Sequence, residues 1–282
     1  MLPRPAVRAL PVRVGLVAGE TRRSLLARLA HANHLTADDL QAVLSGEQRQ
    51  RGGADPCGLA ALSGHGVERL RRVLGADHTG TGETRLACRR CVARHGVVVP
   101  VELRRAAHQP LCRRHRRWLC MFDERGWHRH DAVSCQPDLR ELPEVLSAQR
   151  RHARLTERHR DSPAGFLMLQ RGWQDAQYIL RRWTARGDWP QHRTRRLRRL
   201  LDPDHGHISE HHPLAAIANY PETVTLTELL LDPSWTEQVA GHGAPGWRRF
   251  VTEVSRRLRI DYANYHGWEP LRRVIERRTA GR

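Results

Sequence analysis

Apolar residues recur at helical spacing in the first third of the chain, in two pairs of segments. The pattern predicts helices on either side of residues 33–36 and again on either side of residues 63–66. Thr36, followed three positions later by Asp39, has the outline of a capping box that begins the second helix. Each pair has the form of a helix-turn-helix, which is also the form of many helical hairpins that bind no nucleic acid. Alternating residues 7–14 predict a short strand before the first helix.

From residue 138 onward the pattern is helical almost to the C-terminus. Tryptophans recur there at helical spacing, as with Trp173 and Trp183, and this placement is more typical of a core than of a platform for stacking bases. Between the two helical regions, residues 97–101 form a short apolar run with high β-propensity. No stretch approaches the 18 consecutive apolar residues of a membrane-spanning helix, so the expected location is the cytoplasm.

Paired cysteines in this central stretch indicate a metal site. Cys88 and Cys91 are separated by two residues, as are Cys112 and His115, and twenty residues lie between the pairs. Two such knuckles supply the four sulfur and nitrogen ligands of a tetrahedral zinc ion. Because the protein fills all four positions, the ion would be structural and not catalytic. In a reducing compartment this interpretation is preferred to disulfides among the six cysteines.

Two further clusters leave alternatives open. A second metal site and a set of free thiols are both compatible with Cys120, His128, His130 and Cys135, whose spacing does not form two tight knuckles. Residues 202–212 (DPDHGHISEHH) are rich in possible metal ligands and allow the hypothesis of a metal-dependent nuclease, but they also have the composition of an exposed loop.

The charge of the chain indicates a polyanionic partner. All 48 basic residues are arginines, and the formal net charge is +18. Residues 85–117 hold ten arginines against the single acid Glu102, and residues 181–200 hold eight against Asp188. Such concentrations are typical of surfaces that bind nucleic acid. The predicted DNA contacts are Arg89, Arg90, Arg113, Arg114, Arg116, Arg117, Arg195, Arg196, Arg198 and Arg199.

Together these patterns predict a mainly α fold in three regions. We expect a helix-turn-helix-like region over residues 1–80, a small zinc-ribbon module with short β-strands over residues 81–137, and an arginine-rich helical domain over residues 138–282.

Four stretches, in this order and spacing, resemble the TniQ/TnsD family of transposition target-selection proteins. They are residues 10–14 (LPVRV), residues 19–33 (GETRRSLLARLAHAN), residues 58–64 (GLAALSG) and the two knuckles at 88–115. The resemblance implies a DNA-binding adaptor without nuclease or transposase activity, which recruits a transposition ATPase of the AAA+ class. It also implies that Cys88, Cys91, Cys112 and His115 bind zinc.

The expected function is therefore a zinc-dependent adaptor for double-stranded DNA in the cytoplasm, associated with the nucleoid. The alternatives are the nuclease at residues 202–212, a stand-alone DNA-binding regulator, and a protein-interaction scaffold on which the charge is incidental.

Overall fold

The computed structural model describes residues 8–51, 56–74, 82–106, 108–119, 136–185, 191–200, 213–260 and 268–280. These residues form eleven helices and two small antiparallel sheets, which confirms the predicted mainly helical class with short strands in the centre. The chain divides into two compact units, residues 1–136 and residues 137–282. The first two regions expected from the sequence thus lie within one unit.

The first unit contains five helices and four strands among its described residues. In chain order these are α1 (Arg22–Ala32), α2 (Ala37–Arg51), α3 (Pro56–Ser63), α4 (Val67–Val73), β1 (Gly82–Leu86), α5 (Arg89–Ala93), β2 (Glu102–Ala106), β3 (Leu111–Cys112) and β4 (Arg117–Trp118). Strands β1 and β2 pair antiparallel, as do β3 and β4.

Capping and apolar spacing explain the first two helices. The Thr21 hydroxyl accepts a hydrogen bond from the Ser24 amide at 3.1 Å and caps α1. At the start of α2, Thr36 and Asp39 exchange reciprocal bonds, including one of 3.1 Å from the Asp39 amide, so the predicted capping box is confirmed. Helices α1 to α4 share one core, made by Leu25, Leu26, Leu29, Ala30, Leu40, Leu44, Leu59, Leu62 and Leu70.

The segment before α1 lies across these helices. Residues 8–18 contain no strand, so the strand predicted over residues 7–14 is wrong for its described part. Instead, the Leu10 amide donates to the carbonyl of Leu62 at 2.9 Å, and the Val12 amide donates to the Asn33 side chain at 2.9 Å. The extended backbone has its hydrogen-bond partners in helices and not in another strand.

A buried polar network joins α1 to β2. The Thr21 amide donates to the Glu102 carbonyl at 2.9 Å, and the Glu102 amide donates to the Ser24 hydroxyl at 3.0 Å. Just before α1, the fully buried Glu20 forms a 2.6 Å ion pair with Arg28. These contacts attach the N-terminal helices to the sheet that leads into the cysteine pairs.

The named elements of the second unit are all helices among its described residues. Its elements are α6 (Pro143–His159), α7 (Pro163–Ala185), α8 (Gln191–Leu200), α9 (Pro213–Leu231), α10 (Pro233–Leu258), which is kinked at Gly243, and α11 (Glu269–Ala280). Helix α9 is apolar on most sides, and α6, α7, α8 and α10 all contact it. A helix that is hydrophobic all round is typically the centre of a core.

The tryptophans of this unit pack as predicted. Trp183 is 1% exposed and lies in the main cluster beside Phe250 and Leu226. Trp173 stacks on the buried His152, with ring centroids 4.3 Å apart. The ring of Trp183 is fully buried and one face of the Trp173 ring is covered by His152, so packing explains their placement at helical spacing.

Candidate metal centre

Two short structures bring the four predicted ligands together. Cys88 immediately precedes α5 and Cys91 lies in its first turn, where the Cys91 amide donates to the Cys88 carbonyl at 2.9 Å. Cys112 ends β3, and His115 lies in the turn of residues 113–116 that leads to β4. The side chains of each pair therefore leave the backbone from one tight turn.

The distances within the cluster have the size expected around one metal ion. His115 Nδ1 lies 3.4 Å from the sulfur of Cys88, 3.3 Å from that of Cys91 and 3.7 Å from that of Cys112. The sulfurs of Cys91 and Cys112 are 3.6 Å apart. With bonds of about 2.3 Å to sulfur and 2.0 Å to nitrogen, a tetrahedral zinc ion places such ligand atoms about 3.5 to 3.8 Å from one another.

Hydrogen bonding alone does not explain this arrangement. A neutral imidazole nitrogen has either one proton or one lone pair, so it satisfies one close partner and not three. His115 Nδ1 nevertheless faces the sulfurs of Cys88, Cys91 and Cys112 at similar distances. A cation at the centre accounts for all of these contacts at once. The four residues can hold a metal ion.

Burial makes the cluster unfavourable for free thiolates. Burial raises the pKa of the Cys88 thiol. Burial, followed by the hydrogen bond and charge of the neighbouring Cys112 sulfur, raises the pKa of Cys91 to about 12. A metal ion reverses this preference because it binds the deprotonated sulfurs, and its binding therefore releases protons.

Gln136 supports the first knuckle and was missed by the sequence analysis. It is 2% exposed; its Oε1 accepts from the Arg89 amide at 3.1 Å, and its Nε2 donates to the Ala87 carbonyl at 2.8 Å. The side chain thus holds the backbone on either side of Cys88. A single glutamine far along the chain carries no local signal that could have revealed this role.

The predicted DNA-contact arginines of this region differ in exposure. Arg117 is partly buried and donates through Nη1 to the Gln136 carbonyl at 2.6 Å, so part of its guanidinium is engaged inside the module, and its contact with DNA stays a prediction. Arg85, which belongs to the same charge concentration, is also buried and donates to the Leu119 carbonyl at 2.8 Å. The remaining predicted contacts are exposed, namely Arg89, Arg90, Arg113, Arg114 and Arg116.

The same division occurs on α8. Arg195, Arg198 and Arg199 are exposed. Arg196 is only 3% exposed, pairs with the buried Glu222 and donates through Nε to a backbone carbonyl of α9 at 2.8 Å. Because a buried, paired guanidinium is not available to a partner, the prediction that Arg196 contacts DNA is corrected. Its spacing in an arginine run gave no sign of this, since Glu222 lies in another helix.

Two sets of sequence candidates lie outside the described residues. They are the possible second metal site at Cys120, His128, His130 and Cys135, and the histidine-rich segment over residues 202–212.

Comparison of the chain with known protein families, with curated proteins and with solved structures found no match. The TniQ/TnsD resemblance therefore rests on the sequence motifs and stays a prediction. None of the described helices is both long and apolar enough to span a membrane.

Proposed function

We propose that the chain is a non-catalytic DNA-binding adaptor in which one structural zinc ion, held by Cys88, Cys91, Cys112 and His115, fixes a surface of arginines. The observation that carries this proposal is the overlap of the two features. The exposed arginines of this module lie inside or beside the two knuckles that bring the candidate ligands together.

The ligand set favours zinc in a structural role. Three thiolates and one imidazole are soft to borderline donors that suit zinc, and the four distances given above are close to those around a tetrahedral ion. Four protein ligands leave no open position for a substrate or an activated water. The ion would therefore stabilise the module without taking part in a reaction.

The turn between β3 and β4 is where the ion and the charge meet. Arg113 and Arg114 lie between the ligands Cys112 and His115, and Arg116 follows in a left-handed conformation with φ of 50°. Such a conformation is uncommon for a residue with a side chain and requires support from its surroundings. Coordination of His115 would supply that support and hold three guanidinium groups close together for phosphate binding.

The helix pair α3–α4 supports DNA binding in a second way. The two helices are joined at Gly64, which has a φ of 65°, and Leu70 anchors α4 in the core. Arg69 and Arg72 are exposed on α4. We assign this pair as the helix-turn-helix of the protein, with α4 on the DNA side.

The resemblance to the TniQ/TnsD family extends the proposal to biological context. Under this extended proposal, the protein acts in target-site choice during transposition, and its protein partner is an AAA+ ATPase. A transposase and an AAA+ ATPase encoded by neighbouring genes would support this part independently of DNA binding.

The proposal is tested by the salt dependence of binding. We expect the zinc-loaded protein to bind a duplex with an affinity that falls steeply between about 50 and 200 mM salt, because each arginine–phosphate contact releases counterions. Fluorescence anisotropy with a labelled duplex measures it, and metal analysis should give one zinc per chain. An affinity that does not change with salt would contradict DNA binding through the arginines. Metal-dependent cleavage of a plasmid would contradict the non-catalytic part.

A further inference from the structure

Three arginines of α6 form a stripe that the sequence analysis did not single out. Arg150, Arg154 and Arg158 are all exposed and follow one another at four-residue intervals. Residues four apart lie on one face of a helix, about 6 Å apart along its axis. The opposite face of α6 is buried and includes Val145 and Leu155. The stripe therefore points directly away from the core.

The stripe differs from the neighbouring arginine of the same helix. Arg151 donates to Glu228 at 2.6 Å and to the Thr225 hydroxyl at 2.8 Å, so its charge is compensated within the unit. In the part of the chain that the structure describes, no acidic side chain forms an ion pair with any of the three stripe arginines. The nearest acid in sequence, Glu157, pairs with Arg160 instead.

Helix α11 of the same unit provides a contrast to the stripe. All four arginines of that helix pair with acids within it or on α7. The pairs are Arg272 with Glu276, Arg273 with Glu269, and Arg277 and Arg278 with Asp175. The outward face of α6 thus differs from α11 in having three exposed arginines with no acidic partner among the described residues.

We propose that Arg150, Arg154 and Arg158 contact the phosphate backbone of double-stranded DNA, as a second DNA-binding surface on the second unit. This inference rests on the proposed function. Guanidinium groups form bidentate, charge-assisted bonds with phosphate and stay charged in every environment. Phosphate contacts position a protein without reading sequence, so the surface would strengthen binding to any duplex.

The composition of the stripe favours DNA over a lipid surface. A helix that lies on a membrane has a broad apolar or aromatic face directed at the lipid. The outward face of α6 has no such apolar face. The half-buried positions beside the stripe are occupied by small residues such as Ser147 and Ala153. The apolar residues of the helix are directed into the core.

The test compares two triple variants of the full, zinc-loaded chain. The first is Arg150→Gln/Arg154→Gln/Arg158→Gln; the matched control, Arg272→Gln/Arg273→Gln/Arg277→Gln, removes the same charge from paired positions on α11. Binding to a labelled duplex is measured over a series of salt concentrations. We expect the α6 variant to lose about tenfold or more in affinity at low salt, and its log–log salt slope to fall by up to about 2.7, at about 0.9 per phosphate contact. The control should keep most of the affinity and the slope.

Several results would overturn the inference. Equal losses in both variants would mean that only the net charge matters. An unchanged slope in the α6 variant, with normal binding by the parent protein, would overturn this inference and leave the proposed function intact. Absence of duplex binding by the parent would overturn both. A loss of binding to poly-glutamate or to anionic vesicles, with duplex binding unchanged, would assign the stripe to an acidic protein or a lipid surface. Circular dichroism melting of each variant ensures that folded proteins are compared.

Discussion

The two arginine-rich regions of the molecule hold their exposed basic side chains in place by different means. In the first unit, Arg113 and Arg114 lie between Cys112 and His115, two candidate metal ligands. In the second unit, α8 is fixed by a buried pair between Arg196 and Glu222, while Arg195, Arg198 and Arg199 of the same helix are exposed. If the proposed metal ion is bound, the first arrangement depends on that ion, whereas the second depends on the chain alone. Removal of the metal should therefore disturb the arginines of the first region and leave those of the second region in place.

Loss of the metal is expected to have the largest effect and to be confined to the first unit. Structural zinc in small domains contributes an apparent binding free energy of about 10 to 16 kcal/mol, which is also folding free energy. We expect His115→Ala, or treatment with a chelator, to remove the hydrogen-exchange protection of residues 82–119 and to leave that of α9 unchanged. Weakened DNA binding should accompany this loss, because the arginine turn is no longer held.

Cys57→Ser is the matched control, since Cys57 is an exposed cysteine on α3 outside the cluster. It should keep the zinc content and the protection of the parent protein. Full protection of residues 82–119 after elemental analysis has shown that zinc is gone would contradict a structural role for the ion.

The next largest effect is expected from breaking the buried ion pair of the second unit, which should lower the free energy of unfolding. Arg196→Met removes the cation and leaves Glu222 buried, with His192 as its remaining partner at 2.8 Å. Removing one member of a buried ion pair typically costs about 3 to 5 kcal/mol in the free energy of unfolding. Urea unfolding of the zinc-loaded chain measures this change. Replacing both partners, as in Arg196→Met/Glu222→Leu, should restore much of the loss, since no buried charge is then left unpaired.

The exposed neighbour Arg195 provides the control for this comparison. Arg195→Gln should change the free energy of unfolding by no more than about 0.5 kcal/mol, as is usual for surface positions. It should weaken DNA binding instead. If the variants at 195 and 196 were equally stable, the pair with Glu222 would not be what holds α8.

The contrast between these arginines also shows which features the sequence makes predictable. Spacing alone predicts the cluster of Cys88, Cys91, Cys112 and His115. Each pair of ligands lies within one turn, so the fold has only to bring the two turns next to each other. The helices follow in the same way from apolar spacing and from local caps such as Thr36 with Asp39. Local patterns determine local geometry.

The role of each arginine is not local, and here the sequence is insufficient. Arg117 is engaged by the carbonyl of Gln136, and Arg196 by Glu222, 26 residues away in another helix. Within the same runs, Arg116 and Arg195 remain exposed. Which arginine binds within the fold and which faces outward depends on the packing of distant elements. The stripe on α6 was missed for the same reason. Only the fold shows that Arg150, Arg154 and Arg158 have no acidic partner among the described residues.

The smallest expected effect concerns two acids that have arginine partners but opposite pKa shifts. Burial outweighs the Arg28 contact and raises the pKa of Glu20 above 4.5, whereas hydrogen bonds from Arg256 and Arg257 lower that of Glu253 to about 2. The folded first unit thus binds its Glu20 proton more tightly than the unfolded chain does, so stability should fall as the pH rises from 4.5 through the raised pKa. For Glu253 the sign is reversed, and stability should be lost as the pH falls from 4.5 towards about 2.

Urea unfolding of Glu20→Gln and Glu253→Gln as a function of pH, each relative to the parent, isolates these contributions. Because the parent and the variant release metal and titrate their other groups alike, the difference between them reports the substituted acid. The difference in the free energy of unfolding between the parent and Glu20→Gln should change above pH 4.5. The corresponding difference for Glu253→Gln should change below pH 4.5. A Glu20 difference that is flat above pH 4.5 would mean that Arg28 fully compensates the buried carboxylate.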